Sequence, residues 1–200
     1  MSVCLLLTGR KGSSLRDKSF LNISNVPCID IILKEIYKVG EIAHFFCSSD
    51  CPKILNRSSE FGFNKIKRPS SLGSDNAQHI DVINHALKVI KDDFQISPTI
   101  LVVVLANNPI IFKQWIKLSI DMINQDSSIT SVAPVYEYSD HSPFRSKEIN
   151  QSGFLQSPLD LQAPSHLSTN RQSLPSTYFL CHNFWTLNTS NWGIDTIHTG

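Results

Sequence analysis

A cationic, glycine-containing loop follows the first apolar stretch of the sequence. Residues 3–20 have the sequence VCLLLTGRKGSSLRDKSF. The loop contains two glycines, two serines and four cations, which are Gly9, Gly12, Ser13, Ser14, Arg10, Lys11, Arg16 and Lys18. Glycine permits positive φ and close backbone approach, and a triphosphate needs amide donors and cations around its oxygens. The composition is therefore typical of a phosphate-binding loop, and a solvated basic turn is the alternative.

The loop matches neither of two common phosphate-binding fingerprints. It lacks the pattern G-x-x-x-x-G-K-[ST] and also the dinucleotide pattern G-x-G-x-x-G. Its function therefore depends on which other residues the fold brings beside it.

Apolar stretches of strand length alternate with amphipathic helical patterns along the chain. We predict strands over residues 3–8, 42–50, 64–69, 99–107, 128–138 and 178–188. We predict helices over residues 27–40, 51–62, 76–94 and 112–124. This alternation predicts an α/β fold, a three-layer α/β/α sandwich with a mostly parallel, Rossmann-like sheet. Residues 100–106 are apolar at every position, as expected of a central strand.

Turn-forming residues predict several helix boundaries. Gly40 is a predicted helix stop, and Pro52 is predicted to lie in the first turn of its helix. Ser74 or Asp75 is the predicted N-cap of the helix over residues 76–94. Trp115 is predicted to be a core residue of its helix rather than a platform for base stacking.

The pattern changes after residue 138. Residues 139–177 are mostly polar and contain four prolines. The segment also holds apolar residues, namely Phe144, Phe154, Leu155, Leu159 and Leu161. These are too many for a solvated linker. We predict an extended excursion with a short hairpin that packs on a partner subunit.

Charge and composition exclude several classes of protein. The formal net charge of +1 argues against bulk attraction to nucleic acid or to a membrane. No apolar stretch approaches the ~20 residues that a membrane span needs. The N-terminus lacks the basic region of a signal peptide, so we expect a cytoplasmic protein whose five cysteines are reduced and buried. The seven histidines are scattered rather than paired at metal-ligand spacing, and we expect them to be packing residues.

The predicted sheet indicates where a ligand would bind. In a parallel sheet, ligands bind beyond the carboxyl ends of the strands. Four loops lie at that edge: residues 9–19, 48–52, 68–76 and 106–111.

The segment LTGRKGSSLRDKS resembles the opening loop of the cytidylyltransferases that activate sialic acids and related sugar acids, including the KDO synthetases. Their motif is Ala/Gly-Arg-Gly-Gly-Ser-Lys-Gly-x-Pro-x-Lys-Asn. Arg10, Gly12, Ser13 and Lys18 fall on matching positions, with one residue deleted after Ser13. The first lysine and the proline of the motif are missing, and Ser19 stands in place of the asparagine.

Four further segments match the same family in the same order. FFCSSDCPKIL is similar to its second strand and Ser-Thr-Asp turn. KRPSSLGSDNAQHIDVINHAL resembles Arg-Pro-x-x-Leu-Ala-x-Asp-x-Ala-x-x-x-Asp-Val-x-x-His-Ala-Leu. SITSVAPVYEYSDHSPFRSKEINQSGFL resembles the strand and hairpin with His-Pro-Leu-Lys, with Arg145 in place of the lysine. NRQSLPSTYFLCHNFW resembles Arg-Gln-x-Leu-Pro-x-x-Tyr, with Arg171 as the arginine.

The resemblance implies one nucleotidyltransferase domain over residues 1–200, of the nucleotide-diphospho-sugar transferase type. It implies a homodimer, with residues 139–177 as the dimerisation excursion. The implied reaction transfers CMP from CTP to a sialic-acid-like nonulosonic sugar acid and releases pyrophosphate, with Mg²⁺ as cofactor. The implied nucleotide-binding residues are Thr8, Gly9, Arg10, Gly12, Ser13, Lys18, Arg68, Ser74, Asn76 and Ala77. The implied substrate-binding residues are Asn107, Asn108, Arg145 and Arg171, and the implied catalytic residues are Arg10 and Lys18.

Two departures from the family pattern bear on activity. Leu105 stands where the family has a glutamine that binds the sugar, and leucine cannot donate a hydrogen bond, so Asn107 and Asn108 become the candidate amides. The family also has an Asp-x-Asp pair for Mg²⁺ near its C-terminus, whereas Asp195 is the only acid after residue 182. Either the chain stops before that segment, or the metal is bound otherwise, or activity is lost.

These departures keep other functions open. A catalytically inactive homologue that binds nucleotide, or serves in binding or assembly, is the main alternative. A nucleotide-sugar glycosyltransferase is the third, and it would need an Asp-x-Asp that the sequence lacks.

Overall fold

The computed structural model describes residues 2–11, 15, 17–74, 76–138, 143, 146–157 and 175–191. The strands are β1 (Val3–Gly9), β2 (Asn22–Ile23), β3 (Val26–Pro27), β4 (His44–Ser49), β5 (Asn64–Lys67), β6 (Ile100–Leu105), β7 (Ser131–Val132), β8 (Val135–Glu137), β9 (Glu148–Ile149), β10 (Leu155–Gln156), β11 (Tyr178–Leu180) and β12 (Phe184–Asn188). The helices are α1 (Cys28–Ile36), α2 (Pro52–Glu60), α3 (His79–Phe94) and α4 (Lys113–Gln125). Short 3-10 turns cover Lys18–Phe20, Ser70–Gly73 and Thr189–Asn191.

Six strands form one sheet in the order β5-β4-β1-β6-β12-β7. The first four run parallel, and Leu7 of β1 pairs with Cys47 of β4 and with Val104 of β6. β12 is antiparallel to both of its neighbours. The carboxyl ends of four parallel strands therefore meet at one edge, beside the start of β12. The predicted α/β fold with a mostly parallel sheet is confirmed.

Apolar side chains cover both faces of this sheet. Leu5 and Leu7 belong to a core with α1, α2 and α4, whereas Cys4 and Leu6 belong to a second core with α3. Successive residues of β1 thus point to opposite faces, as the pleat of a strand requires. Four of the five cysteines are buried, as expected of small hydrophobic side chains. The predicted three layers, helix on sheet on helix, are present.

Two segments that the sequence predicts as single strands are each two strands. The prediction over 128–138 divides into β7 and β8 beside Pro134, which has no N–H to donate to a ladder. The prediction over 178–188 divides into β11 and β12 beside His182, whose φ of 48° is left-handed. β8 pairs with β11 in a ladder separate from the six-stranded sheet.

Two predicted helix boundaries are wrong. α1 ends at Ile36, before Gly40, because the backbone that follows closes turns onto carbonyls three residues earlier. α3 begins at His79, and Ser74 Oγ donates instead to the Ser71 carbonyl at 3.0 Å. Ser74 is therefore not the cap of this helix, and Asp75 lies outside the described residues.

Two other helix predictions have opposite outcomes. Pro52 is the first residue of α2, as predicted. Trp115 is not a core residue, because it is 38% exposed and makes an edge-to-face contact with Phe112. Ile116 and Ile120 supply the buried face of α4 instead.

The chain divides into two compact units, Met1–Pro134 with His182–Gly200, and Val135–Cys181. The first unit contains the six-stranded sheet. The second contains the β8–β11 ladder and an antiparallel hairpin of β9 and β10, in which Leu155 lies opposite Ile149. The predicted short hairpin is thus present. No helix in the described part of the chain combines the length and the hydropathy that crossing a membrane requires.

A partly buried ion pair joins α1 to α2. Arg57 Nε donates to Asp30 Oδ1 at 2.7 Å, and Arg57 Nη2 donates to Asp30 Oδ2 at 2.6 Å. Asp30 is only 5% exposed, so its charge needs a partner of this kind. Arg57 also pairs with the exposed Glu60 of its own helix. The Asp30–Arg57 pair therefore fixes α2 against α1.

Replacing Asp30 by asparagine should lower the free energy of unfolding by about 1–3 kcal/mol, because the buried side chain loses its charge and one of two acceptors. Urea denaturation followed by circular dichroism measures this loss. Glu60→Gln is the matched control, since an exposed pair contributes less than about 1 kcal/mol. Equal losses in the two variants would contradict the role given to the Asp30–Arg57 pair.

Candidate functional site

The end of β1 is closely packed at Gly9. A Cβ on this residue would lie 2.8 Å from Ile54 Cδ1 and 3.1 Å from Ala106 Cβ. Gly9 has no left-handed φ, so of the two uses predicted for it, close approach is the one that the structure shows. The missing side chain lets α2 and the loop after β6 converge on the end of β1.

A cleft with two lobes opens above this packed strand end. The first lobe has a volume of about 170 Å³ and is lined by Gly9, Arg10, Lys11, Asp17, Lys18, Ser19, Phe20, Cys51, Ile54 and Asn107. The second lobe has a volume of about 150 Å³ and is lined by Thr8, Gly9, Arg10, Arg68, His79, Leu105 and Asn107. Gly9, Arg10 and Asn107 border both lobes, so the two lobes are adjacent.

The first lobe carries an excess of positive charge. Among the described residues, Arg10, Lys11 and Lys18 line it together with a single acid, Asp17. Asp17 is already paired, because its Oδ2 lies 3.0 Å from Lys53 Nζ. The lobe therefore favours an anionic ligand.

Three loops are joined beside Arg10. Arg10 Nη1 donates to the Ser74 carbonyl at 3.3 Å, which links the loop after β1 to the loop after β5. The Lys11 backbone N–H donates to Asp50 Oδ1 at 2.9 Å, which adds the loop after β4. Gly73 packs on Asp50 so closely that a Cβ there would lie 2.7 Å from its Oδ2. These contacts bring the predicted loops together at one edge of the sheet.

Arg68 is a buried residue in the lining of the second lobe. It is 6% exposed and donates through Nη2 to the Ser48 carbonyl at 2.8 Å and through Nη1 to the Leu72 carbonyl at 3.5 Å. Burial lowers the pKa of Arg68, while the charge of Asp50 raises it. The guanidinium nevertheless stays protonated at neutral pH, because arginine side chains do not lose their proton in proteins. Arg68 thus adds a fixed positive charge to this lobe.

His79, at the first position of α3, forms another wall of the second lobe. Its Nε2 lies 3.3 Å from Thr8 Oγ1, and its ring centroid lies 5.5 Å from that of Trp185 on β12. Burial, and then the charge of Arg68, lower the pKa of His79 to about 4. The imidazole is therefore neutral at neutral pH.

The two predicted asparagines differ in their surroundings. Asn107 is exposed and borders both lobes. Asn108 Nδ2 donates to the His182 carbonyl at 3.4 Å, and its Oδ1 accepts from the Ile110 N–H at 3.3 Å, so its amide stabilises the loop after β6. Asn107 is therefore the amide better placed to meet a ligand.

The remaining predicted residues fall into two groups. Ser74 and Ala77 lie in the loop that Arg10 contacts, where the Ala77 N–H donates to the Ser74 carbonyl at 3.3 Å, and Asn76 between them is exposed. The others lie outside the described residues and stay predictions: Gly12, Ser13, Arg145 and Arg171.

The residue patterns did not single out His79 or Asp50 as site residues. Asp50 had a signal, because it ends the SSD segment that resembles a family turn. His79 had none, since its proximity to Thr8 depends on a contact across 71 residues of sequence. In the described ranges, no group of three or more His, Cys, Asp or Glu side chains could hold a metal ion.

Comparison with known proteins agrees with this architecture. A family model described as cytidylyltransferase matches residues 5–160. No curated protein matches the sequence. Among solved structures, the CMP:2-keto-3-deoxy-manno-octonic acid synthetase complexed with CTP has a TM-score of 0.67 at 15% identity, covering 95% of this chain and 75% of its own.

Two other solved structures share the fold. The 4-diphosphocytidyl-2C-methyl-D-erythritol synthase from Anaerococcus prevotii has a TM-score of 0.62 at 12% identity, covering 94% of this chain and 70% of its own. A cytidylyltransferase from Leptospira borgpetersenii has a TM-score of 0.50 at 19% identity, covering 66% of this chain and 53% of its own. At these identities the likeness shows the fold, and the family model shows the family. The chain belongs to the cytidylyltransferase family of nucleotidyltransferases, as a divergent member.

Proposed function

We propose that the protein transfers CMP from CTP to a sialic-acid-like nonulosonic sugar acid and releases pyrophosphate. One observation carries the proposal: Arg10 borders both a lobe lined by cations and a second lobe whose wall includes a neutral histidine. A nucleoside triphosphate has the matching division, with a polyanionic tail at one end and an uncharged base at the other.

The first lobe suits the triphosphate. Arg10, Lys11 and Lys18 supply cations on a short stretch of chain, and Asp17, the acid among the described lining residues, pairs with Lys53. Charge-assisted hydrogen bonds to phosphate oxygens are stronger than neutral ones, and a guanidinium can bind two oxygens at once. The predicted roles of Gly12 and Ser13 belong to this part of the proposal.

The second lobe suits the nucleoside. Its walls include the apolar Leu105, the buried Arg68 and the neutral His79, with Trp185 behind the histidine ring. An uncharged ring with polar edges fits such walls better than a phosphate does, because Arg68 already donates to two carbonyls.

The proposed reaction needs little covalent work from the protein. The anomeric hydroxyl oxygen of the sugar acid attacks the α-phosphorus, and the bond from that phosphorus to the bridging oxygen breaks in line. Pyrophosphate leaves with the bond electrons, and the hydroxyl proton passes to solvent. Positioning of the two reactants and neutralisation of the developing charge by Arg10 and Lys18 supply the catalysis.

The acceptor class rests on family membership and on charge. The neighbour complexed with CTP is by name a synthetase for an octonic sugar acid, whereas the second neighbour's name refers to methylerythritol. Arg145 and Arg171 are the proposed partners of the acceptor carboxylate. Leu105 cannot donate a hydrogen bond to the sugar, so we propose that the amide of Asn107 contacts the sugar instead.

We propose Mg²⁺ as a cofactor on the basis of the family resemblance, and we assign no protein ligands to it. In the described segments, Asp50 accepts from the Lys11 N–H and Asp17 pairs with Lys53, and no group of three or more His, Cys, Asp or Glu side chains lies there. These residues do not form a magnesium site, and no step above depends on one.

Replacing Arg10 by alanine should weaken CTP binding by about 10- to 100-fold, because the charge-assisted contacts of one guanidinium are lost. Isothermal titration calorimetry with CTP measures the dissociation constant. Lys38→Ala removes one positive charge from the end of α1, where Lys38 pairs with Glu35, and should leave the constant unchanged. An Arg10→Ala protein that binds CTP as tightly as the wild type would contradict the proposed site.

Pyrophosphate release should occur with CTP, Mg²⁺ and at least one member of a panel of nonulosonic acids. A neutral hexose is the matched acceptor control and should give no release. Tight CTP binding without release for any acid would reject the transferase and support a nucleotide-binding homologue.

We also propose a homodimer in which the 139–177 excursion contacts the partner. The hairpin of β9 and β10 supports this, because Ile149, Phe154 and Leu155 are each more than 70% exposed. Light scattering should give twice the 22.5 kDa of one chain. The double variant Phe154→Asp, Leu155→Asp should give the mass of one chain, and an unchanged mass would rule this surface out.

A further inference from the structure

His79 lines the second lobe, but the proposed reaction at the α-phosphorus gives its side chain no role. It lies at the start of α3, against Thr8 on one side and Trp185 on another. Its ring is neutral at neutral pH, since burial lowers its pKa to about 4. A neutral imidazole has one donor and one acceptor nitrogen, so its tautomer decides what it can recognise.

The hydrogen bonds of Thr8 define that tautomer. Thr8 is buried, and its hydroxyl carries a single hydrogen, which it donates to the Val104 carbonyl at 3.3 Å. We assign the hydroxyl hydrogen to the Val104 carbonyl, so in the contact of 3.3 Å between Thr8 Oγ1 and His79 Nε2 we assign the histidine as the donor. Nε2 therefore carries the hydrogen, and Nδ1 keeps its lone pair as an acceptor.

The other wall of the lobe has the opposite character. Arg68 is a donor only, and its contacts with Ser48 and Leu72 hold it in place. The lobe thus combines a fixed donor with a neutral acceptor. Cytosine has a donor amine at C4 and acceptors at N3 and O2, whereas uracil has an acceptor oxygen at C4 and a hydrogen on N3.

We propose that His79 determines base specificity, with Nδ1 accepting a hydrogen bond from the 4-amino group of cytosine and thereby selecting CTP against UTP. This rests on the proposed function, because the second lobe must hold the base. With UTP the Nδ1 lone pair would face a carbonyl oxygen, and two acceptors facing each other leave both unsatisfied. A site built to pair with a polar group rejects a ligand that leaves it unpaired.

Three substitutions at His79 separate recognition from packing. His79→Asn keeps an acceptor at the position of Nδ1, whereas His79→Gln keeps a donor at the position of Nε2 for Thr8 but lacks that acceptor. His79→Leu lacks both. Thermal unfolding by circular dichroism reports whether each variant is folded.

Calorimetric dissociation constants for CTP and UTP test the proposal on the full chain. The wild type and His79→Asn should bind CTP about 10-fold or more tightly than UTP, and His79→Gln and His79→Leu should bind the two within about 3-fold. A His79→Gln protein that keeps the wild-type preference overturns the proposal. A wild type that binds both nucleotides equally also overturns it and leaves the proposed function intact, whereas a wild type that binds no CTP rejects both.

The pH dependence of the preference is a second measure. Because the pKa of His79 is about 4 and not 6.5, the acceptor persists between about pH 8 and pH 6, and the ratio of the two constants should not change there.

Discussion

The site depends on the close approach of three elements at the end of β1. Gly9 is the residue that permits it, because any side chain there would meet Ile54 of α2 and Ala106 after β6. The convergence places the loops after β1 and β6 side by side, so that Arg10 and Asn107 border the same cleft. A small backbone constraint thus determines where the polar groups can meet.

Electrostatics then divides the cleft into two parts of different character. The cations at the first lobe, Arg10, Lys11 and Lys18, are exposed, so their side chains can adjust to a flexible anionic tail. The second lobe is lined by the buried Arg68 and the partly buried His79, which have defined partners in Ser48 and Thr8. Groups held in this way are suited to selecting one ligand, because they cannot rearrange cheaply to accept another.

The sequence predicts those features that depend on local pattern. Apolar stretches that alternate with amphipathic helical patterns identify the α/β class, and the continuous apolar stretch identifies the central strand β6. The composition of the first loop identifies Arg10 and Lys18. Errors occur where a local signal competes with a tertiary one. Ser74 has the composition of a helix cap, but its hydroxyl is used in a 3-10 turn. His79 could not be identified from the sequence, because its partners Thr8 and Trp185 lie on β1 and β12, far from it along the chain.

The proposed site requires that one nucleotide place its phosphates in the first lobe and its base in the second, with Arg10 between them. A crystal structure of the protein with a non-hydrolysable CTP analogue tests it most directly. Phosphate oxygens should lie within hydrogen-bonding distance of Arg10 and Lys18. The cytosine should lie in the second lobe, between Arg68 and His79. A nucleotide bound away from the end of β1, or with its base among Lys11 and Lys18, would contradict it.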